Sequence, residues 1–191
     1  GHAMMSDVLD VVLSIFECDS AALVYPCDPV TATWWVPMES ARPEYPGAHA
    51  LNLEIPMDPE VVRVFQTVLA SDDPVGFGAG NECALPAAVA EQFSEQAQLA
   101  MAIYPKAGSP YMFVVHQCSH PRVWLPEDKI LLKEIGHRLA DGLTSLQAQR
   151  KLRDSEARAR AMLNAIPDLM FRLDRAGVFL DYKADARELV E

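Results

Sequence analysis

The sequence predicts an α+β fold: a central antiparallel sheet flanked by helices, with a long C-terminal helix leading to a further β-hairpin. Three observations carry this prediction. Short β-rich runs come in pairs joined by turn-forming residues, and segments with apolar residues at helical spacing stand before and between those pairs. One stretch, from Pro126 to about Ala165, contains no internal proline.

The elements follow in order. Gly1, His2, Ala3, Met4 and Met5 read as a tag remnant and start, outside the fold. From Asp7 to Phe16, Val8, Leu9, Val12 and Phe16 recur at helical spacing, with Ser6 as the expected N-cap. Ala21–Tyr25 and Thr31–Val36 read as antiparallel strands around the turn Pro26-Cys27-Asp28-Pro29. Neighbouring Trp34 and Trp35 face opposite sides of such a strand, so one can line a pocket while the other packs beneath a helix. Residues 37 to 56, rich in Pro, Gly and polar side chains, are expected to form a long loop near a pocket, with Tyr45 and His49 either covering a ligand or lying on an ordinary surface.

Asp58 and Pro59 open a helix that runs to about Ala70. Gly76–Gly80 then breaks the chain; it lacks the Lys and the strand-to-helix context of a phosphate loop. A short helix over Ala87–Phe93 precedes two strands, Gln98–Pro105 and Tyr111–Cys118, joined by a Gly-containing turn. In the long helix, Leu139, Leu143, Leu146 and Leu152 step by threes, fours and sixes in a coiled-coil-like pattern. Its first half is expected to pack on its own sheet or to form a homodimer, and its two halves can divide these roles. Leu169–Asp174 and Val178–Tyr182 form the last hairpin signal.

Composition excludes several functions. A net charge of −11 repels a phosphate backbone, and the basic residues between Gln149 and Arg160 are interleaved with acids, so no nucleic-acid partner is expected. No apolar run reaches the roughly 18 residues of a membrane span, and no membrane contact is expected. Cys18, Cys27, Cys83 and Cys118 have no CxxC spacing, which suits reduced thiols and a cytoplasmic location.

The run from Tyr111 through His116-Gln117-Cys118-Ser119-His120-Pro121-Arg122-Val123-Trp124 resembles the last strand and following helix of GAF domains of the phytochrome and cyanobacteriochrome type. Phe16-Glu17-Cys18-Asp19 and Leu23-Val24-Tyr25-Pro26-Cys27-Asp28-Pro29 are similar to the first strand of such domains. The resemblance covers residues 6–148. Residues 149–166, with Leu152-Arg153-Asp154-Ser155-Glu156, resemble a helical signalling linker, and residues 167–191, opening Pro167-Asp168-Leu169-Met170-Phe171-Arg172, resemble the truncated start of a PAS domain. The resemblance implies a non-catalytic sensory piece of a parent such as a histidine kinase or diguanylate cyclase, working as a homodimer on a small-molecule ligand of unknown identity.

It also implies that His116 lies in the ligand pocket, although a lone histidine on an apolar strand is equally a hydrogen-bonded structural residue. Strand alternation puts Met112, Val114, His116 and Cys118 on one face, and Cys83 and Trp35 complete the candidate pocket. No cofactor is assigned. Covalent bilin attachment in these families uses a cysteine commonly followed by histidine, whereas Ala84 follows Cys83. Three further readings stay open: haem or metal held by His116, Cys118 and His120; thiol exchange by Cys83 and Cys118 as in GAF-fold methionine sulfoxide reductases; and a ligand-free dimerisation module whose pocket is filled by Met101, Met112 and Phe113.

Overall fold

The structure, a computed structural model, describes residues 2–165 and 170–183. The chain divides into two compact units, Gly1–Gln147 and Ala148–Glu191. The first is built on a six-stranded antiparallel sheet in the order β3-β2-β1-β6-β5-β4, from β1 (Ser20–Tyr25), β2 (Thr33–Ala41), β3 (Glu54–Pro56), β4 (Val75–Gly78), β5 (Ala97–Ile103) and β6 (Tyr111–Gln117). Around it stand α1 (His2–Phe16), α2 (Pro59–Leu69), α3 (Ala87–Phe93) and the first part of α4 (Pro126–Ala165). In the second unit, β7 (Met170–Leu173) and β8 (Phe179–Lys183) pair antiparallel, and Asp174 Oδ1 accepts from the backbone N–H groups of Ala176 and Val178 at 2.8 and 2.9 Å to close their turn.

Alternation along the central strands separates two cores. On one face, Leu99, Met101, Phe113 and Val115 meet Leu9, Val12 and Phe16 of α1 and Leu132, Leu139 and Leu143 of α4. Side chains of this size contribute about 1.5–3 kcal/mol each when fully buried. On the other face, Ala22, Val24, Ala100, Met112 and Val114 meet Val61, Val64, Phe65 and Val68 of α2. Asp58 caps that helix as its sequence requires, accepting from the N–H groups of Glu60 and Val61 at 2.7 and 3.0 Å.

Several boundaries differ from expectation. The N-terminal helix begins at His2, so residues 2–5 are helical and Ser6 is interior rather than an N-cap. β2 continues through Pro37 to Ala41, where a loop was expected. Leu23 faces Met38 and Tyr25 faces Trp35, so three steps on β2 match two on β1; the extra residue is a bulge, which accommodates a proline inside a paired strand. The Gly-rich segment after Pro74 is an edge strand, not a break. Gly78 has φ +111°, and a Cβ there would lie 2.6 Å from the Gln96 carbonyl, so only glycine fits beside β5. Leu139 and Leu143 are buried in the first core, which withdraws them from any dimer seam; Leu146 packs partly against that core, and only Leu152 of the four projects freely, at 61% exposure.

The residues that carry the family resemblance converge on one structural hub. Asp19, buried just before β1, accepts at Oδ2 from Gln117 Nε2 (2.7 Å), the N–H groups of Cys118 and Ser119 (both 2.8 Å) and Ser119 Oγ (2.7 Å), while Oδ1 lies 3.3 Å from Arg42. Arg122 donates to the Phe16 carbonyl and to Gln117 Oε1, pairs with Asp128 in the first turn of α4, and lies 4.3 Å over the Trp124 ring. Asn81, in the loop after β4, donates to the Arg122 carbonyl at 2.8 Å and accepts from Trp124 N at 3.0 Å. These contacts fix the end of β6 to α1 and aim the chain into α4. Asp19, Gln117, Ser119, Arg122 and Trp124 are thus explained as fold-holding residues.

Candidate functional site

Between the second face of the sheet and helices α2 and α3 lies a cavity of about 60 Å³. Its walls are apolar on one side: Val61, Val64 and Phe65 from α2, Val89 and Phe93 from α3, and Trp34, Val24 and Met112 from the sheet. Tyr45, Pro46 and Ala48, from the loop between β2 and β3, complete it.

The other side is polar, and strand register explains why. Ser20 of β1 and Gln98 of β5 both stand opposite His116 of β6, so three polar side chains lie abreast across adjacent strands on one face. Glu39 of β2 stands opposite Ala22; its Oε1 accepts from Ser20 Oγ at 3.0 Å and its Oε2 from His49 N at 3.2 Å. Glu95 enters from the α3–β5 connection. Ser94 caps α3 in the left-handed region at φ 57°, Glu95 N donates to the Ala90 carbonyl at 2.8 Å, and Gln96 N donates to the Gln117 carbonyl at 2.8 Å. This sharp reversal leaves the Glu95 side chain only 6% exposed, with Oε1 3.5 Å from His116 Nε2.

Burial governs the chemistry of these groups. Desolvation pushes the Glu95 carboxyl up to about 8, helped by the nearby Glu39 charge. It pushes His116 down to about 4, so at neutral pH the pair is an uncharged carboxylic acid beside an uncharged imidazole. Glu39 is raised by burial, against the opposing hydrogen bonds from Ser20 and His49. Two polar groups of the lining residues have no partner: Glu95 Oε2 and Trp34 Nε1.

Of the residues singled out from sequence, Met112, His116 and Cys118 line the cavity. Val114 is buried in the same core without reaching the wall. Cys83 is half-buried in the loop after β4, where it forms an isolated bridge with Phe77, and does not line the cavity. Trp35 must be replaced by Trp34: alternation turns Trp35 outward, 39% exposed and edge-on to Tyr25 at 5.1 Å, whereas Trp34 is buried against Phe65. Tyr45 lines the cavity, and His49 bonds to the Val36 carbonyl through Nδ1 at 2.8 Å. Glu39, Glu95, Ser20 and Gln98 were missed. Register opposite His116 would have found Ser20 and Gln98; Glu39 was hidden in a presumed loop, and a single glutamate after a short helix carries no sequence signal.

The geometry bears on three other readings. His120 is exposed and bonded to Ser119 Oγ at 3.0 Å, and among the described residues no group of three His, Cys, Asp or Glu side chains could hold a metal. Burial pushes the Cys118 thiol up to about 12, assisted by Glu95 and Asp19, which disfavours the thiolate that disulfide exchange requires. Met101 and Phe113, expected to fill the pocket, belong to the opposite core; only Met112 reaches the cavity.

No family model matches the chain, and neither does any curated protein. Solved structures do. The blue-light-absorbing form of the Thermosynechococcus elongatus PixJ GAF domain is 17% identical, with TM-score 0.59, over 81% of this chain and 90% of that one. The phycoerythrobilin-bound GAF domain of a cyanobacterial phytochrome is 12% identical, with TM-score 0.61, over 78% and 88%. The photoproduct state of the third GAF domain of Slr1393 from Synechocystis sp. PCC6803 is 15% identical, with TM-score 0.59, over 78% and 97%. The fold is therefore the GAF fold. No described helix is long and apolar enough to cross a membrane.

Proposed function

We propose that this chain is a sensory module of a signal-transduction protein, and that its cavity binds a small molecule whose presence biases the orientation of the segments leading into α4. The observation that carries the reading is a buried, half-polar cavity whose walls include a carboxylate oxygen without a partner, on Glu95. A ligand shifts such a switch only by its differential affinity for two arrangements. The segment able to respond is the loop after β4. Glu82 there accepts from Gly76 N at 3.0 Å and pairs with Lys129 of α4, while Asn81 holds both sides of Val123.

Downstream, α4 continues as a helical linker joining two copies into a homodimer, and residues 167–191 begin a PAS domain ahead of a histidine kinase or diguanylate cyclase output. Because Leu139 and Leu143 are buried, the linker contact falls to Leu152 and the exposed Met162 and Leu163. Leu152→Glu tests it: the mass in solution is expected to fall from dimer to monomer with the fold of the first unit intact, and an unchanged mass would sink this part of the proposal.

A second reading, a tetrapyrrole sensor, is favoured by the bilin-bound structure among the neighbours. Against it stands the placement of Cys83 outside the lining. An absorption spectrum of the chain purified from cells supplied with haem and bilin precursors separates the two. The small-ligand reading expects a bare protein spectrum, and a Soret or visible bilin band would replace it with the second.

A further inference from the structure

We infer that the ligand of this cavity is a small primary amine with an aliphatic body, its ammonium group held between Glu95 and Glu39. The inference rests on the small-ligand reading above and narrows it to one chemical class. Glu39 and Glu95 both line the cavity, and no Lys or Arg does. The only basic lining side chain is His116, whose Nε2 is already 3.5 Å from Glu95 Oε1. The site therefore offers two carboxyl groups as acceptors with no resident cation.

The free acceptor decides the head group. Glu95 Oε2 is buried with no donor in reach, and the side chain is 6% exposed. Whether Glu95 is ionised or donates a proton toward His116, that oxygen still requires a donor. A neutral donor would satisfy it, but Glu39 adds a second carboxylate close enough to raise Glu95. Ionising two buried acidic groups that face one space is costly without a compensating charge, and an ammonium with three N–H donors supplies both the charge and the hydrogen bonds. The Trp34 indole N–H, the other unpartnered lining group, is a single neutral donor whose burial costs less. An anionic ligand would meet like charge at its head. The remaining walls, Val61, Val64, Phe65 and Met112, are apolar and face a hydrocarbon body.

Binding should also release a proton. Ionised Glu95 is the form that pairs with an ammonium, and alkylammonium ions, like lysine, keep their charge to about pH 10. The titratable groups that line the cavity with Glu95 are Glu39 from β2, Tyr45 from the β2–β3 loop, His116 from β6 and Cys118 just after β6; with His116 uncharged near neutrality and the Cys118 thiol pushed up to about 12, Glu95 and Glu39 set the pH dependence.

The test uses the full chain and three probes with one apolar body: isopentylamine, isopentanol and isovalerate, titrated calorimetrically at pH 6 and pH 8. Isopentylamine is expected to bind about tenfold or more tighter than isopentanol, isovalerate least well, and the amine's advantage to grow with pH. Glu95→Gln, which keeps the shape, is expected to cut that advantage by about tenfold or more. Tighter binding of isopentanol or isovalerate would overturn the amine assignment and leave the small-ligand reading standing. Failure of all three to bind, in a chain that still unfolds cooperatively, would overturn both.

Discussion

The two faces of one sheet have opposite characters, although their residues alternate along the same strands. Phe113 and Val115 point into a core closed by α1 and α4 that contains no lining carboxylate; Met112 and His116, one residue away from each, point into a space that holds Glu39 and Glu95. The fifteen-residue α1 and the start of the forty-residue α4 seal the first face. On the second, α2 covers only part of the sheet with Val61, Val64, Phe65 and Val68, and the seven-residue α3 and the loop between β2 and β3 complete the cover. The difference teaches that a cavity arises where short elements cover a sheet, and that the polar groups it admits are the ones able to discriminate ligands.

The largest expected effect compares the faces directly. Phe113→Ala removes a fully buried ring from the dry face and should cost about 3–5 kcal/mol, whereas Met112→Ala enlarges an existing cavity and should cost near the lower end of the buried-residue range, about 2 kcal/mol. Urea unfolding of both variants checks this, and equal losses would erase the contrast. Next comes Asp19→Ala, which strips the hub of its acceptor and should cost about 3 kcal/mol. Burial alone would raise Asp19, but hydrogen bonds from Ser119 and Cys118 and the Arg42 charge outweigh it and hold the carboxyl below its ordinary value. Its stabilisation is therefore present above about pH 4 and lost as pH falls through the lower folded value, so the variant should show a flatter acid limb in unfolding monitored by tryptophan fluorescence.

A smaller effect belongs to the cavity pair. Glu95, raised to about 8 in the fold, disfavours folding progressively from its unfolded value of about 4.3 up to pH 8. His116, lowered to about 4, gives stability that is complete above about pH 6.5 and lost as pH falls through the folded value. The two oppose each other between about pH 4.3 and 6.5, leaving Glu95 alone from there to pH 8. Across that upper window the native chain should lose about 1–2 kcal/mol relative to Glu95→Gln; parallel profiles would mean that Glu95 is not buried as described. The smallest effect is Trp35→Ala, about 1 kcal/mol or less in melting experiments, because the ring is 39% exposed and rests on Tyr25 alone among aromatic neighbours.

What was legible in the sequence follows the same division. The GAF fold could be read because its determinants are local or repeated: Asp58 with Pro59 opening α2, the alternation Met112-Val114-His116, and the long helix from Pro126. The second half of β2 and all of β4 were not, since a bulge at Pro37 and glycine at Gly78 mimic loop composition while tertiary pairing makes both into strands. Half of the site was legible through the β6 alternation. Glu39 and Glu95 were not, because their approach depends on a strand-register irregularity and a left-handed turn at Ser94, neither of which has a pattern of its own.

Asn81 has a further consequence. Its side-chain amide donates to the carbonyl before Val123 and accepts from the N–H after it, as a partner strand would, although that stretch belongs to no sheet. The Trp124 amide should therefore exchange with deuterated solvent as slowly as the sheet interior, not at the pace of a connecting loop, and Asn81→Ala should release it by orders of magnitude. One amide proton would then report, in the time domain, whether the segment beside the cavity still grips the chain that leads into α4.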